Sequence, residues 1–145
     1  MFKKIMVAYD GSEHARRAFA AGLNLAERYG ATLDAVMVAD LPDYAGTVGE
    51  VEDHKAQAQA FYEKSIEQVR WLARKSEVQV RTHLLFGHVG QILVRHAEEE
   101  KMDLVVVGAR GLSRLQQLLM GSVSQFVSRH APCAVLVVKE KPHQS

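Results

Sequence analysis

Apolar residues enter this chain as short unbroken runs separated by longer stretches of helical spacing. Ile5–Ala8 is a continuous apolar run that stops at Asp10-Gly11-Ser12, as a strand buried on both faces does before a turn. From Ser12 to Tyr29, Ala15, Ala18, Phe19, Gly22, Leu25, Ala26 and Tyr29 recur with a helical period, and Gly30 supplies the stop. Leu33–Ala39 is the second apolar strand. Asp40–Glu50, with Pro42, Gly46 and Gly49, reads as a surface loop. A long helix is predicted over Val51–Arg74, with Ala58, Tyr62, Ile66, Val69 and Ala73 on one face.

The pattern then changes period. Val78, Val80, Thr82 and Leu84 alternate with Gln79, Arg81 and His83, which predicts a strand with one face in water at a sheet edge. Val89–Glu100 is a helix that turns Ile92, Leu93, His96 and Ala97 inward, and Leu104–Val107 is a fully apolar strand. Ser122–His130 is a helix with Val123, Phe126 and Val127 on one side, Pro132 ends it, and Ala134–Val138 is the last strand. The tail from Lys139 to Ser145 reads as frayed.

Strands alternating with helices imply an α/β fold: an open, doubly wound, five-stranded parallel sheet with helices on both faces, one domain over residues 1–145. If the third strand is an edge, the fourth must return to the far side of the first, giving the order 3-2-1-4-5. Ligands of such sheets bind beyond the carboxyl ends of the strands where the winding reverses. That point falls between the first and fourth strands, which end on Asp10 and Gly108.

Candidate chemistry gathers there. The stretch VVVGARGLSRLQQLLMGSVSQ, Val105–Gln125, places Gly108, Gly111, Gly121 and Ser122 in the pattern G-x2-G-x9-G-S. Backbone N–H groups at a helix start attract phosphate, and glycine lets an anion approach the backbone. Each glycine also has a plainer use. Gly108 can make a tight strand-to-loop turn, and Gly121 can precede an N-cap serine at Ser122. Asp10 can cap the first helix, with Glu13 three residues on in capping-box spacing, or accept from a ribose hydroxyl or a purine amine.

Composition narrows the partners. The chain is 48% hydrophobic and 24% charged, and 18 Lys and Arg against 17 Asp and Glu leave a formal net charge of +1. No general basic field exists to gather nucleic acid. No apolar run approaches the ~20 residues that span a bilayer, and the N-terminus lacks a signal-peptide core. A single cysteine, Cys133, excludes an internal disulfide and fits a reducing compartment, so a cytoplasmic location is expected.

These residues carry a resemblance. Val7-Ala8-Tyr9-Asp10-Gly11-Ser12, Asp103–Gly108, the glycine motif and Ala134–Val138 together resemble the universal stress protein family over nearly the whole chain. The full motif is that of the family's ATP-binding type. The resemblance implies an adenine nucleotide as ligand: ATP, or ADP or AMP, with Mg2+ able to accompany the phosphates. Asp10 would meet the adenosine end, with Ala8 beside it, and the backbone around Val38 would face the adenine. Val107, Gly108 and Gly111 would lie along ribose and phosphates. Gly121, Ser122, Val123 and Ser124 would hold the phosphates through N–H groups and the two hydroxyls, and the charge of Arg110 suits it to a phosphate. Val89 and Ala109 stand where the family often has proline and serine.

Other chemistry finds little support. The phosphate-loop pattern G-x4-G-K-(S/T) and the nucleophile elbow G-x-S-x-G are both missing, so efficient phosphoryl transfer lacks its usual lysine. Gly87-His88-Val89-Gly90 opens a helix and reads as an ordinary strand-helix turn. The seven histidines, His14, His54, His83, His88, His96, His130 and His143, show no tight metal-ligand spacing along the chain. Cys133 reads as a small buried hydrophobe.

Three functions remain: a nucleotide-binding regulatory protein, a slow ATPase or autokinase, and an interaction module without ligand. The glycine pattern favours the first. Ala134–Val138 carries no charge until Lys139, so this edge strand is expected to pair with its copy in a homodimer. The downstream partner is not legible.

Overall fold

Each apolar run becomes a strand and each periodic stretch a helix: β1 (Lys4–Ala8), α1 (Glu13–Tyr29), β2 (Thr32–Ala39), α2 (Val48–Ala73), β3 (Val80–Phe86), α3 (Val89–Glu99), β4 (Leu104–Gly108), α4 (Ser122–His130) and β5 (Ala134–Val138). The computed structural model describes residues 1–40, 47–109 and 121–140. The loop glycine Gly46, with Pro42, and the tail beyond residue 140 lie outside them. All four strand pairings are parallel, and the order is β3-β2-β1-β4-β5, as expected.

The alternation of side chains along a strand divides the core in two. One layer joins Ile5, Val7, Leu33 and Ala35 of the sheet to Ala18, Phe19 and Ala26 of α1 and Val69 of α2. The other joins Met6, Val36, Val105 and Val107 to Leu93 and Ala97 of α3 and Val127 of α4. Ile5, Met6 and Val7 are all fully buried, which is why β1 has no polar face. Among the described residues no helix is long and apolar enough to cross a membrane.

The structure corrects three boundaries. Helix α2 begins at Val48 rather than Val51, because Thr47 and Glu50 form a capping box: Thr47 Oγ1 accepts from Glu50 N at 3.1 Å, and Thr47 N donates to Glu50 Oε2 at 3.3 Å. Strand β3 runs Val80–Phe86, later than Val78–Leu84. The Ser76 hydroxyl caps Val78 N at 3.1 Å, while β2 pairs the strand as far as Phe86. Strand β3 is an edge, and Gln79 and Arg81 on its polar side are exposed as the alternation predicts. His83 is the partly covered member of that side, lying against His96 of α3 with ring centroids 4.8 Å apart.

Candidate functional site

The sheet parts at the point where its winding reverses. Strands β1 and β4 pair only through Ile5–Leu104, Met6–Val105 and Val7–Val106. Beyond that, β1 follows β2, with Ala8 opposite Val36 and Tyr9 N donating to Val36 O at 2.9 Å. Strand β4 follows β5 instead, with Gly108 opposite Val138 and Ala109 N donating to Val138 O at 2.9 Å. The two backbones therefore separate into a notch at their carboxyl ends. Ala8 and Val38 are half-buried on the α3/α4 side of the sheet. Val107, 2% exposed, buries its side chain in the same layer, so what it can offer a ligand is backbone.

Asp10 shapes the turn after β1. Its Oδ1 accepts from Ser12 N at 2.9 Å, across Gly11 at φ 81°. The capping expectation shifts by two residues: Ser12, not Asp10, caps α1, its Oγ accepting from Ala15 N at 3.1 Å. Glu13 reaches forward instead, to Arg17 at 2.7 Å. Next door, the Tyr9 hydroxyl donates to Gln68 Oε1 at 2.8 Å and ties α2 to the turn; burial pushes this phenol above its ordinary pKa.

Gly108 and Gly121 answer two different needs. A Cβ on Gly108 would stand 2.9 Å from the carbonyl oxygen of His14, so the end of β4 and the first turn of α1 meet backbone to backbone. Nδ1 of His14 is the one buried side-chain nitrogen or oxygen without a partner among the described residues. Gly121 caps α4 in extended conformation, φ −72° and ψ 164°, and no side chain caps the helix. Ser122, expected as the cap, is the first helical residue and is exposed. The uncapped helix start leaves its leading N–H groups for an anion. Gly121 N donates to Ala109 O, which brings the end of β4 against the start of α4. Arg110 and Gly111 lie outside the described residues.

The two serines divide. Ser124 is buried, and its hydroxyl donates to Gly121 O at 2.9 Å and Ala109 O at 3.2 Å. Its donor serves the loop, so toward an anion it presents its backbone N–H. Ser122 keeps its hydroxyl on the outside, and half-buried Val123 packs against the core. The Gly87–Gly90 turn is explained by packing: a Cβ on Gly90 would meet Phe126 of α4 at 2.7 Å. Cys133 is half-buried against the α3/α4 core, and burial raises its thiol pKa, so it is not activated.

A second cluster sits elsewhere, and the sequence reading missed it. The otherwise apolar strand β2 carries Asp34, fully buried. Arg81 Nε donates to its Oδ1 and Nη2 to its Oδ2, both at 3.0 Å. Nε2 of His83 and of His96 lie 3.1 and 3.2 Å from the same Oδ2. Burial alone would push the Asp34 carboxyl up, but the hydrogen bonds from His96 and Arg81, with the charges of Arg81 and His83, hold it below its ordinary value. A spacing search along the chain cannot see partners 49 and 62 residues away. The available signal was an acid at an inward position of an apolar strand, which demands a buried partner.

A model of the universal stress protein family matches residues 1–139. A universal stress protein of Thermus aquaticus is 36% identical over 151 residues, covering 96% of this chain and all of the relative. Among solved structures, universal stress protein UspA from Lactobacillus plantarum superposes with a TM-score of 0.85 at 28% identity, covering 94% of this chain and 97% of the other. Another, a universal stress protein in complex with cAMP, gives a TM-score of 0.70 at 24% identity, with 99% of each chain covered.

Proposed function

The chain belongs to the universal stress protein family, and from that membership we propose that it is a cytosolic regulatory module that binds an adenine nucleotide, ATP first, in the notch between β1 and β4. The observation that carries this reading is the parting of those strands after Val7 and Val106, with the uncapped start of α4 held beside the opening by the Gly121–Ala109 hydrogen bond. The orphaned Nδ1 of His14 next to Gly108 adds a polar atom in want of a partner. A fold relative carries cAMP.

In this reading Asp10, Ala8 and the backbone at Val38 face the nucleoside, and Val107, Gly108 and Gly111 run along ribose and phosphates. The N–H groups of Ser122, Val123 and Ser124 hold the phosphates, the Ser122 hydroxyl and Arg110 reach them from outside, and Mg2+ accompanies them. Backbone donors hold ground-state phosphates as well as a transition state, and the sequence contains no phosphate-loop lysine, so binding rather than rapid turnover is the activity proposed. Occupancy would then stabilise one form of the protein. The same reading makes the active species a homodimer joined through the edge strand β5, one nucleotide per subunit.

The test is calorimetric titration and thermal melting with ATP, ADP and AMP, each with magnesium. A ligand at 100 times its dissociation constant adds about 2.7 kcal/mol to stability, a clear rise in Tm. If none of the three nucleotides gives heat or moves the Tm, the reading fails.

A further inference from the structure

The Asp34 cluster lies apart from the notch. Asp34 is near the start of β2, whereas the notch opens at the carboxyl ends of β1 and β4. Asp34, His83 and His96, on three different elements, each bring one ligand atom within 4.8 Å of the others, and Nε2 of both histidines lies beside Asp34 Oδ2. We propose that these three atoms form a site for a divalent transition metal of the zinc class, with the fourth position open to water.

The donor set is the first argument. One carboxylate oxygen and two imidazole nitrogens suit zinc, and bonds of about 2.0–2.2 Å in a tetrahedron put neighbouring donors roughly 3.3–3.6 Å apart, within a few tenths of an ångström of the arrangement here. The observed separations from Oδ2 are 3.1 and 3.2 Å. The second argument is crowding. Three nitrogens, Arg81 Nη2, His83 Nε2 and His96 Nε2, converge on the single oxygen Oδ2, which has two lone pairs. One metal ion at that point satisfies the oxygen and both ring nitrogens at once.

The remaining neighbours fit. Arg81 is 43% exposed, so it can release Oδ2 to the metal while its Nε keeps Oδ1 at 3.0 Å, orienting a monodentate carboxylate. His83, a quarter exposed, marks the side from which an ion and its water enter. His96 is 8% exposed and anchors the site to α3. The bound ion would tie edge strand β3 and helix α3 to β2.

The experiment uses the full chain without an affinity tag, stripped by a chelator and titrated with zinc chloride alone at neutral pH. One ion per chain is expected, with a rise in Tm. His83→Gln, confirmed as folded by circular dichroism, should weaken zinc by more than about 100-fold, whereas His54→Gln should leave it unchanged. Cobalt(II) in place of zinc should give the intense visible bands of a four-coordinate site, lost in His83→Gln. In the unmutated chain, zinc should shift the imidazole nitrogen resonances of two histidines together. No saturable binding, equal affinity in folded His83→Gln, or movement of other histidines instead would overturn the proposal.

Discussion

Gly108 meets His14 so closely that a Cβ at position 108 would stand 2.9 Å from both the Cβ and the carbonyl oxygen of His14. Two backbones are in contact here, so neither neighbour can swing aside. The first glycine of the motif is thus required by the fold with or without a ligand. Gly108→Ala should cost about 1–3 kcal/mol through overpacking, seen as a lower urea midpoint in nucleotide-free protein. An unchanged midpoint would show that α1 yields without strain.

Gly121 should behave in the opposite way. Its φ of −72° and ψ of 164° are open to any residue, and its cap uses no side chain. Gly121→Val should therefore cost only about 1 kcal/mol of cap stability. A branched side chain beside the helix start would still hold a phosphate away from the N–H groups, and losing one charge-assisted hydrogen bond weakens binding by at least about tenfold. Titration of the folded variant with ATP checks this, and full affinity would remove Gly121 from the site.

The contrast between these glycines marks what the chain made legible. Parallel strands buried on both faces are apolar throughout, so Ile5–Ala8, Leu104–Val107 and Ala134–Val138 stood out, and their alternation with helices led to the observed sheet order. The notch followed, because a winding reversal is a property of strand order. The reason for Gly108 did not, since the approach of His14 is a distance between elements and leaves no periodic trace. Asp34, His83 and His96 stayed hidden for the same reason: strand register and the docking of α3 bring them together. The start of α2 was legible in principle, in Thr47-Val48-Gly49-Glu50, but Gly49 read as loop chemistry.

Ser124 offers a separate check on the loop. Its buried hydroxyl joins Ala109 O to Gly121 O across the two ends of the motif. Ser124→Ala removes this bridge, a loss of about 1 kcal/mol because each carbonyl keeps a backbone donor, Gly121 N and Gln125 N, and loosens the approach of α4 to β4. Stability and nucleotide affinity should fall together, whereas Ser122→Ala, at an exposed position, should spare stability. Equal effects on stability would mean that the inward hydrogen bonds contribute nothing.

Acid should act through Asp34. Its folded pKa is depressed below the usual value of about 3.9. A group of this kind stabilises the fold fully above its unfolded pKa and loses that contribution as pH falls through the folded value. Wild-type stability should therefore drop below about pH 4. Asp34→Asn should be less stable at neutral pH, with a flatter acid limb, so that the two curves converge in acid. Parallel curves of denaturation midpoint against pH would exclude Asp34 as the titrating group.

The dimer prediction rests on where β5 sits. It pairs with β4 alone, and Leu136 is 37% exposed, while Val135 and Val137 pack against the α3/α4 core. An uncharged edge strand with an exposed leucine invites a second copy, and pairing of identical strands about a two-fold axis closes on itself. Leu136→Lys places a charge on that edge without disturbing the core behind it, so it should yield a folded monomer where the wild type is a dimer. Val137 is the wrong position for the test, because a lysine there would also disrupt the monomer's own packing. Light scattering at micromolar concentration distinguishes the outcomes: a wild-type monomer rejects strand pairing, and a Leu136→Lys dimer moves the interface to another surface.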